Sequence, residues 1–165
     1  AQHPLLDRLV TLAPGEAAAP RLRRPTPETV FAGIALENSP AGRQQHRPLL
    51  RAIQALWGRG PLWRFAGILA DAEAALQGSL PQAQLRRLTA LVPAARGSYA
   101  LRLATLDGRV TAVTRATPTD HMLAQGGALL ASLSNLPAAK SSLAPLILAL
   151  HDPCVPVALK EAGHA

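Results

Sequence analysis

Apolar residues recur at helical spacing through most of the chain and alternate in only one stretch. His3 to Leu12 carries Leu5, Leu6, Leu9, Val10 and Leu12 at helical intervals and predicts a short helix. Pro14, Gly15, Pro20, Pro25 and Pro27 follow and read as a linker, in which Arg21, Arg23 and Arg24 form a small basic cluster on a solvated tether. Leu49, Leu50, Ile53, Leu56 and Trp57 give one apolar helical face, closed by Gly58 and Gly60. Pro61 suits the first turn of a second helix, whose inner stripe is expected to be Leu62, Phe65, Leu69, Ala72 and Leu76, with Gly78 as its stop. A shorter third helix is expected over Leu80 to Leu88, and Trp57 and Trp63 read as core anchors.

The period changes at Arg96. Ser98 to Leu106 alternates, with Tyr99, Leu101 and Leu103 on one face, and Val110 to Ala116 alternates again. Asp107-Gly108 between them is a strong two-residue turn, so the segment predicts a β-hairpin. Asp120 to Leu133 reads as a helix capped by Thr119 or Asp120, with Gly126-Gly127 inside it for close packing. Ser141 or Ser142 opens a last helix through Leu150, which delivers His151-Asp152-Pro153-Cys154. The expected class is α+β and mostly helical, with helices plus one β-hairpin. A helix-and-linker segment over 1–27 precedes a domain over 28–165.

Composition adds limits. Of the 165 residues, 48% are hydrophobic and 16% charged, which fits one domain with a real core and excludes a disordered chain. The formal net charge of +7 raises nucleic-acid binding. The arginines are scattered, however, and aromatics make up only 3%, so stacking platforms are few and no nucleic-acid partner is expected. No apolar run has the length of a membrane span and no targeting signal is visible, which leaves a cytoplasmic setting as the expectation. A start at Ala1 suggests a processed or excised segment, and a single cysteine rules out an internal disulfide framework.

That cysteine carries the candidate chemistry. Cys154 lies between Pro153 and Pro156, after Asp152 and an apolar helix. Prolines fix the backbone and present the sulfur in one direction. A thiolate suits soft or borderline metals such as iron and nickel. Taken alone, a lone cysteine is more often a small buried hydrophobe.

Asp152-Pro153-Cys154 after a helix resembles the C-terminal signature of nickel–iron hydrogenase large subunits, Asp-Pro-Cys-x-x-Cys-x-x-His. Three further segments occur in the family's order. Glu37-Asn38-Ser39-Pro40-Ala41-Gly42-Arg43 is similar to Glu-x-Gly-Pro-Leu-Ala-Arg, matching at Glu37, Pro40 and Arg43. Ala95-Arg96-Gly97 before a hairpin is similar to Pro-Arg-Gly, and Pro118-Thr119 to Val-Pro-Ser/Thr. The resemblance runs from about Pro27 to Val157 and implies the C-terminal part of the large-subunit fold. It also implies roles. Cys154 matches a cysteine terminal on nickel, Arg96 the arginine over the metal pocket, and Thr119 with Pro118 the segment whose hydroxyl donates to a cyanide. Asp152 matches the acid that orients Arg96.

The departures narrow the function. The second cysteine position holds Val157 and the histidine position holds Lys160. Ala95 replaces the proline before the arginine, and His121-Met122 replaces the Trp-Asn that follows the hydroxyl segment. The family's other cysteine pair belongs to an N-terminal half absent from this chain, and little C-terminal extension precedes Ala165. No two histidines have metal-ligand spacing on a helix face, and none is assigned. The set resembles degenerate large-subunit paralogues of the HupK/HoxV type. The expectation is a non-enzymatic maturation scaffold that carries the Fe(CN)2(CO) unit transiently, with nickel doubtful. Its expected partners are hydrogenase maturation proteins and the hydrogenase large subunit. Alternatives are a divergent hydrogenase and a structural subunit with a vestigial pocket.

Overall fold

The computed structural model describes residues 4–160; His3 at the predicted start of the first helix, and Ala1 and Ala165 at the ends, lie outside them. Proline starts most of the helices, since a first-turn residue needs no N–H partner and its φ is already helical. The helices are α1 (Pro4–Leu9), α2 (Pro40–Gln44), α3 (Pro48–Trp57), α4 (Pro61–Leu76), α5 (Pro118–Met122), α6 (Ala128–Ser134) and α7 (Ala144–His151). A 3₁₀ turn, Ala138–Leu143, leads into α7. Four strands, β1 (Gln84–Arg86), β2 (Thr89–Ala94), β3 (Gly97–Leu106) and β4 (Arg109–Ala116), form an antiparallel meander in chain order.

The α+β expectation holds, and the hairpin is β3–β4 with its turn at Asp107-Gly108. It is half of the sheet, not all of it. The third helix expected over Leu80 to Leu88 is absent: that stretch holds β1 and a turn in which Arg87 and Leu88 adopt left-handed φ of 45° and 64°. Pro93 sits in β2 without breaking the ladder, because β1 pairs only with Thr89 to Leu91 and leaves that edge open at Pro93.

Two helical expectations are corrected. In α4 the buried side is the one opposite Leu62, Phe65, Leu69, Ala72 and Leu76: Trp63, Ala66, Gly67, Ala70 and Ala74 face inward, together with Arg64 and Asp71. Small residues let α2 approach until a Cβ on Gly67 would overlap Ala41. Of the expected stripe, Leu69, Ala72 and Leu76 are exposed, while Leu62 and Phe65 are half-buried, Leu62 against the edge of the α3–α4 cluster. The single helix over Asp120 to Leu133 is two, α5 and α6, parted by Gly126 at φ +73° and by Gly127, where a side chain would strike the Met122 carbonyl. On α3 only Leu50 and Ile53 are fully buried and Trp57 partly, since one neighbour, α4, cannot cover the whole stripe.

Three apolar clusters hold these parts. Leu50, Ile53 and Trp63 join α3 to α4. Leu12, Ala17, Met122, Leu129 and Ile147 join the N-terminal segment to α5, α6 and α7. Val30 lies against Leu91, Ala100 and Ala116 on one face of the sheet. Arg21, Arg23 and Arg24 are exposed, but the backbone around them is engaged: the Arg23 carbonyl accepts from Glu37 N–H and the Leu22 carbonyl from Arg59. Among the described residues no helix is long and apolar enough to cross a membrane.

Candidate functional site

The segment from Leu36 to Gln44 organises the site. Ser39 caps α2, its hydroxyl oxygen accepting from Gly42 N–H. Asn38 pairs with Ser98 in both directions, accepting from its N–H (2.6 Å) and donating to its carbonyl (2.8 Å). The Asn38 amide also meets His121 Nδ1 at 3.1 Å, while His121 Nε2 faces the Val30 carbonyl at 3.0 Å. Those contacts fix one tautomer, with the proton on Nε2 and a lone pair on Nδ1 for Asn38.

Arg43, buried at the end of α2, grips the turn between β2 and β3. Its Nε and Nη2 donate to the two Asp71 oxygens at 2.9 and 2.5 Å, and Gln44 donates to the same carboxylate. Its Nη1 donates to the Gly97 carbonyl (2.5 Å) and Nη2 to the Ala94 carbonyl (2.8 Å). Ala94 and Gly97 are the paired residues that bracket Ala95-Arg96, so one guanidinium holds both sides of that tight turn. Gly97 has φ +148°, and a Cβ there would meet the Asn38 carbonyl at 2.6 Å and Pro118 at 2.9 Å. No other residue fits.

Arg96 stands at the tip of this turn. Its Nε and Nη2 donate to Asp152 Oδ2 and Oδ1 at 2.5 and 3.3 Å, a side-on pair in which both side chains remain partly open to solvent. Asp152 reaches it because α7 ends in a left-handed residue: Asp152 itself has φ 45° and ψ 58°, and its N–H closes the helix on the Leu148 carbonyl. Hydrogen bonding by Asp152, its charge, and at longer range Cys154, raise the Arg96 pKa above its ordinary value.

Thr117 opens α5 with a reciprocal capping box to Asp120, corrected from the Thr119 or Asp120 cap expected from sequence. The box releases Thr119 for another partner. The Thr119 hydroxyl oxygen accepts from Cys154 N–H (2.9 Å), and its proton is directed to Cys154 Sγ (3.0 Å). Cys154 is a free, exposed cysteine. Pro118 is buried at the first position of α5, against the place where Gly97 lacks a side chain.

The five residues singled out from sequence therefore form two joined pairs, Arg96 with Asp152 and Thr119 with Cys154, with Pro118 packed behind the arginine turn. Asp152 and Cys154 are two residues apart, which ties the pairs together. Beside them opens a cleft of about 550 Å³ walled by Leu36, Ile68, Ala72, Leu80, Leu150 and Arg96, among others. Arg43, Asp71, Asn38 and His121 were not assigned roles from sequence. Arg43 belonged to a matched motif, but nothing about Asp71 on an alanine-rich helix marks it as that arginine's partner. Among the described residues no group of three or more His, Cys, Asp or Glu is placed to hold a metal ion.

His151 is buried beneath the site. Its Nδ1–H donates to the Ile147 carbonyl at 2.8 Å, while Nε2 has no partner among the described residues. Burial, reinforced by the nearby Arg64 charge, depresses its pKa from 6.5 to about 3. The folded protein therefore keeps this ring neutral where the unfolded chain protonates it, so stability falls as pH drops below 6.5. Between about pH 7 and pH 5 the loss is about 2 kcal/mol. Urea melts across that interval should show it, and His151→Leu should flatten the slope. An unchanged slope in the variant would locate the acid sensitivity elsewhere.

No family model and no solved structure matches the chain. Among curated proteins, it is 48% identical over 165 residues to the hydrogenase expression/formation protein HupK of Rhodobacter capsulatus, an alignment covering 98% of this chain. The chain spans 54% of that protein's length. The expected likeness to the HupK type is thereby borne out: the chain is a relative of HupK, matching about half of that protein.

Proposed function

We propose that the protein serves hydrogenase maturation as a non-enzymatic scaffold, holding the Fe(CN)2(CO) unit as cargo on Cys154 before its transfer to the large subunit. The observation that carries this reading is the single exposed sulfur locked to Thr119, beside a charged Arg96–Asp152 pair. Motif order supports its placement in a degenerate large-subunit fold. The partners in this reading are the maturation proteins that deliver the iron unit and the large subunit that receives it, in the cytoplasm.

The donor set fits one metal attachment and does not fit a nickel cradle. One cysteine sulfur is present and Val157 stands where a second would be needed to bridge two metals. The bound cargo would supply an iron centre whose cyanides are hydrogen-bond acceptors.

The chain's own residues do the rest. Thr119 orients Cys154 by accepting from its backbone N–H and donating to its sulfur, which holds the one candidate metal-ligating atom in a fixed direction. Arg96 spends Nε and Nη2 on Asp152, leaving Nη1 to donate to a cyanide nitrogen from a group that stays charged. Asp152 fixes the plane of that fork. Arg43 sets the height of the turn that bears it.

The test is the infrared spectrum of the full-length protein, purified from cells expressing the maturation machinery. Cyanide and carbonyl stretches are expected in the wild type and lost in Cys154→Ala, whose melting temperature should not change because the side chain is exposed. Bands retained in Cys154→Ala would remove the cysteine from the reading. Their absence from the wild type would replace the scaffold with a structural subunit.

A further inference from the structure

The sheet has one buried face and one bare face. The register puts Leu85, Ala90, Val92, Tyr99, Leu101, Leu103, Val113 and Arg115 on the side away from Val30 and Phe31. Six of these are large hydrophobics and all six are exposed, from Tyr99 at 37% to Leu85 at 75%. Beyond Ala100 the β3–β4 ribbon is open on both faces until Ala116. A two-stranded ribbon is marginal in water without cover, and an apolar patch of this extent marks an interaction surface.

The charges around it say what covers it. Arg86 and Arg87 stand at the β1–β2 turn, Arg109 at the β3–β4 turn and Arg115 within the face, all exposed. Against them stand Asp107 in the hairpin turn and Glu28, 3.9 Å from Arg86. Arg102 is not part of this set, since it turns to the other face, stacks on Phe31 and donates to Thr89. Two copies of this face would bring their arginines together, which disfavours self-association. Tyrosine and arginine around an apolar centre are the residues that anchor protein interfaces.

We infer that the outer face of the sheet docks a different, acidic protein, through an apolar strip flanked by carboxylates that meet Arg87, Arg109 and Arg115. The inference does not rest on Cys154 or on its cargo.

A benzophenone amino acid placed at Val113 of the full-length protein, and at Ala112 on the opposite face as control, tests it by photo-crosslinking in the source cells. An adduct with a second, acidic protein is expected from Val113 and not from Ala112. That partner, purified, should bind the wild type more weakly as salt is raised, and should lose about tenfold or more in affinity to Leu103→Glu and to Arg115→Glu. Val113→Ser provides a second variant, and unchanged melting of each exposed-site variant separates lost docking from lost folding. An adduct joining two copies, an adduct within one polypeptide, binding indifferent to Arg115→Glu, or no adduct at all would each overturn the inference.

Discussion

Glu37→Gln is expected to cost about 3–5 kcal/mol of folding stability, although it changes one atom and no shape. The Glu37 carboxylate is buried between two buried guanidiniums. Arg64 Nη1 and Nη2 lie 3.2 and 3.3 Å from its oxygens, and Arg59 Nη1 lies 3.8 Å away. Ser39 adds a hydroxyl donor at 2.6 Å. Both arginines rest against the buried Trp63 ring, at 4.9 and 5.7 Å from its centroid, so neither can turn to water without unpacking it. Burial already lowers the Arg59 pKa, Glu37 opposes that shift, and Arg64 adds to it. A neutral amide in place of the carboxylate leaves two buried cations facing each other. Denaturant midpoints of Glu37→Gln, Arg64→Met and the double variant give the coupling. The double variant should recover part of the loss, because it removes one of the unpaired charges. A Glu37→Gln loss below about 1 kcal/mol would mean the network is hydrated and the carboxylate dispensable.

This cluster shows what the linear pattern could and could not convey. Glu37 and Arg43 stood out because a motif contains them, and Arg96, Thr119, Asp152 and Cys154 for the same reason. Their neighbours in space did not. Arg59, Arg64 and Asp71 lie on or beside helices whose expected inner faces excluded them, because burying a charge is costly unless a partner arrives from elsewhere in the chain. Pairing supplied that partner and reversed α4: its alanines, Gly67 and two charged residues went inside, while Leu69 and Leu76 stayed out. The β3–β4 hairpin was legible because Asp-Gly and alternation state the same thing twice. The β1–β2 turn was not, because Arg87 and Leu88 adopt left-handed φ without glycine or asparagine to announce it.

Arg43→Lys is the other substitution with a large expected effect, about 3 kcal/mol, and its consequence reaches the candidate site. The charge is kept, so a simple ion-pair account predicts little change. The geometry predicts otherwise. Arg43 makes four hydrogen bonds to three separate groups, two to Asp71 and one each to the Ala94 and Gly97 carbonyls. A lysine ammonium has three donors at one point and cannot reach a carboxylate and both ends of a tight turn. At least one of the Ala94 and Gly97 carbonyls loses its donor, and the turn bearing Arg96 loses the brace that sets its position. Hydrogen exchange should quicken at the Gly97 and Ser98 amides, with the Asp107-Gly108 tip unaltered because its strands are tied by their own ladder. If exchange at Gly97 and Ser98 stayed at the wild-type rate, Asn38 alone would suffice to hold the turn through Ser98. If it quickened, Arg96 would still meet Asp152, but from a mobile base. In the scaffold reading, the infrared bands should then broaden without disappearing, because Cys154 and Thr119 hang from α5 and α7 and do not depend on Arg43.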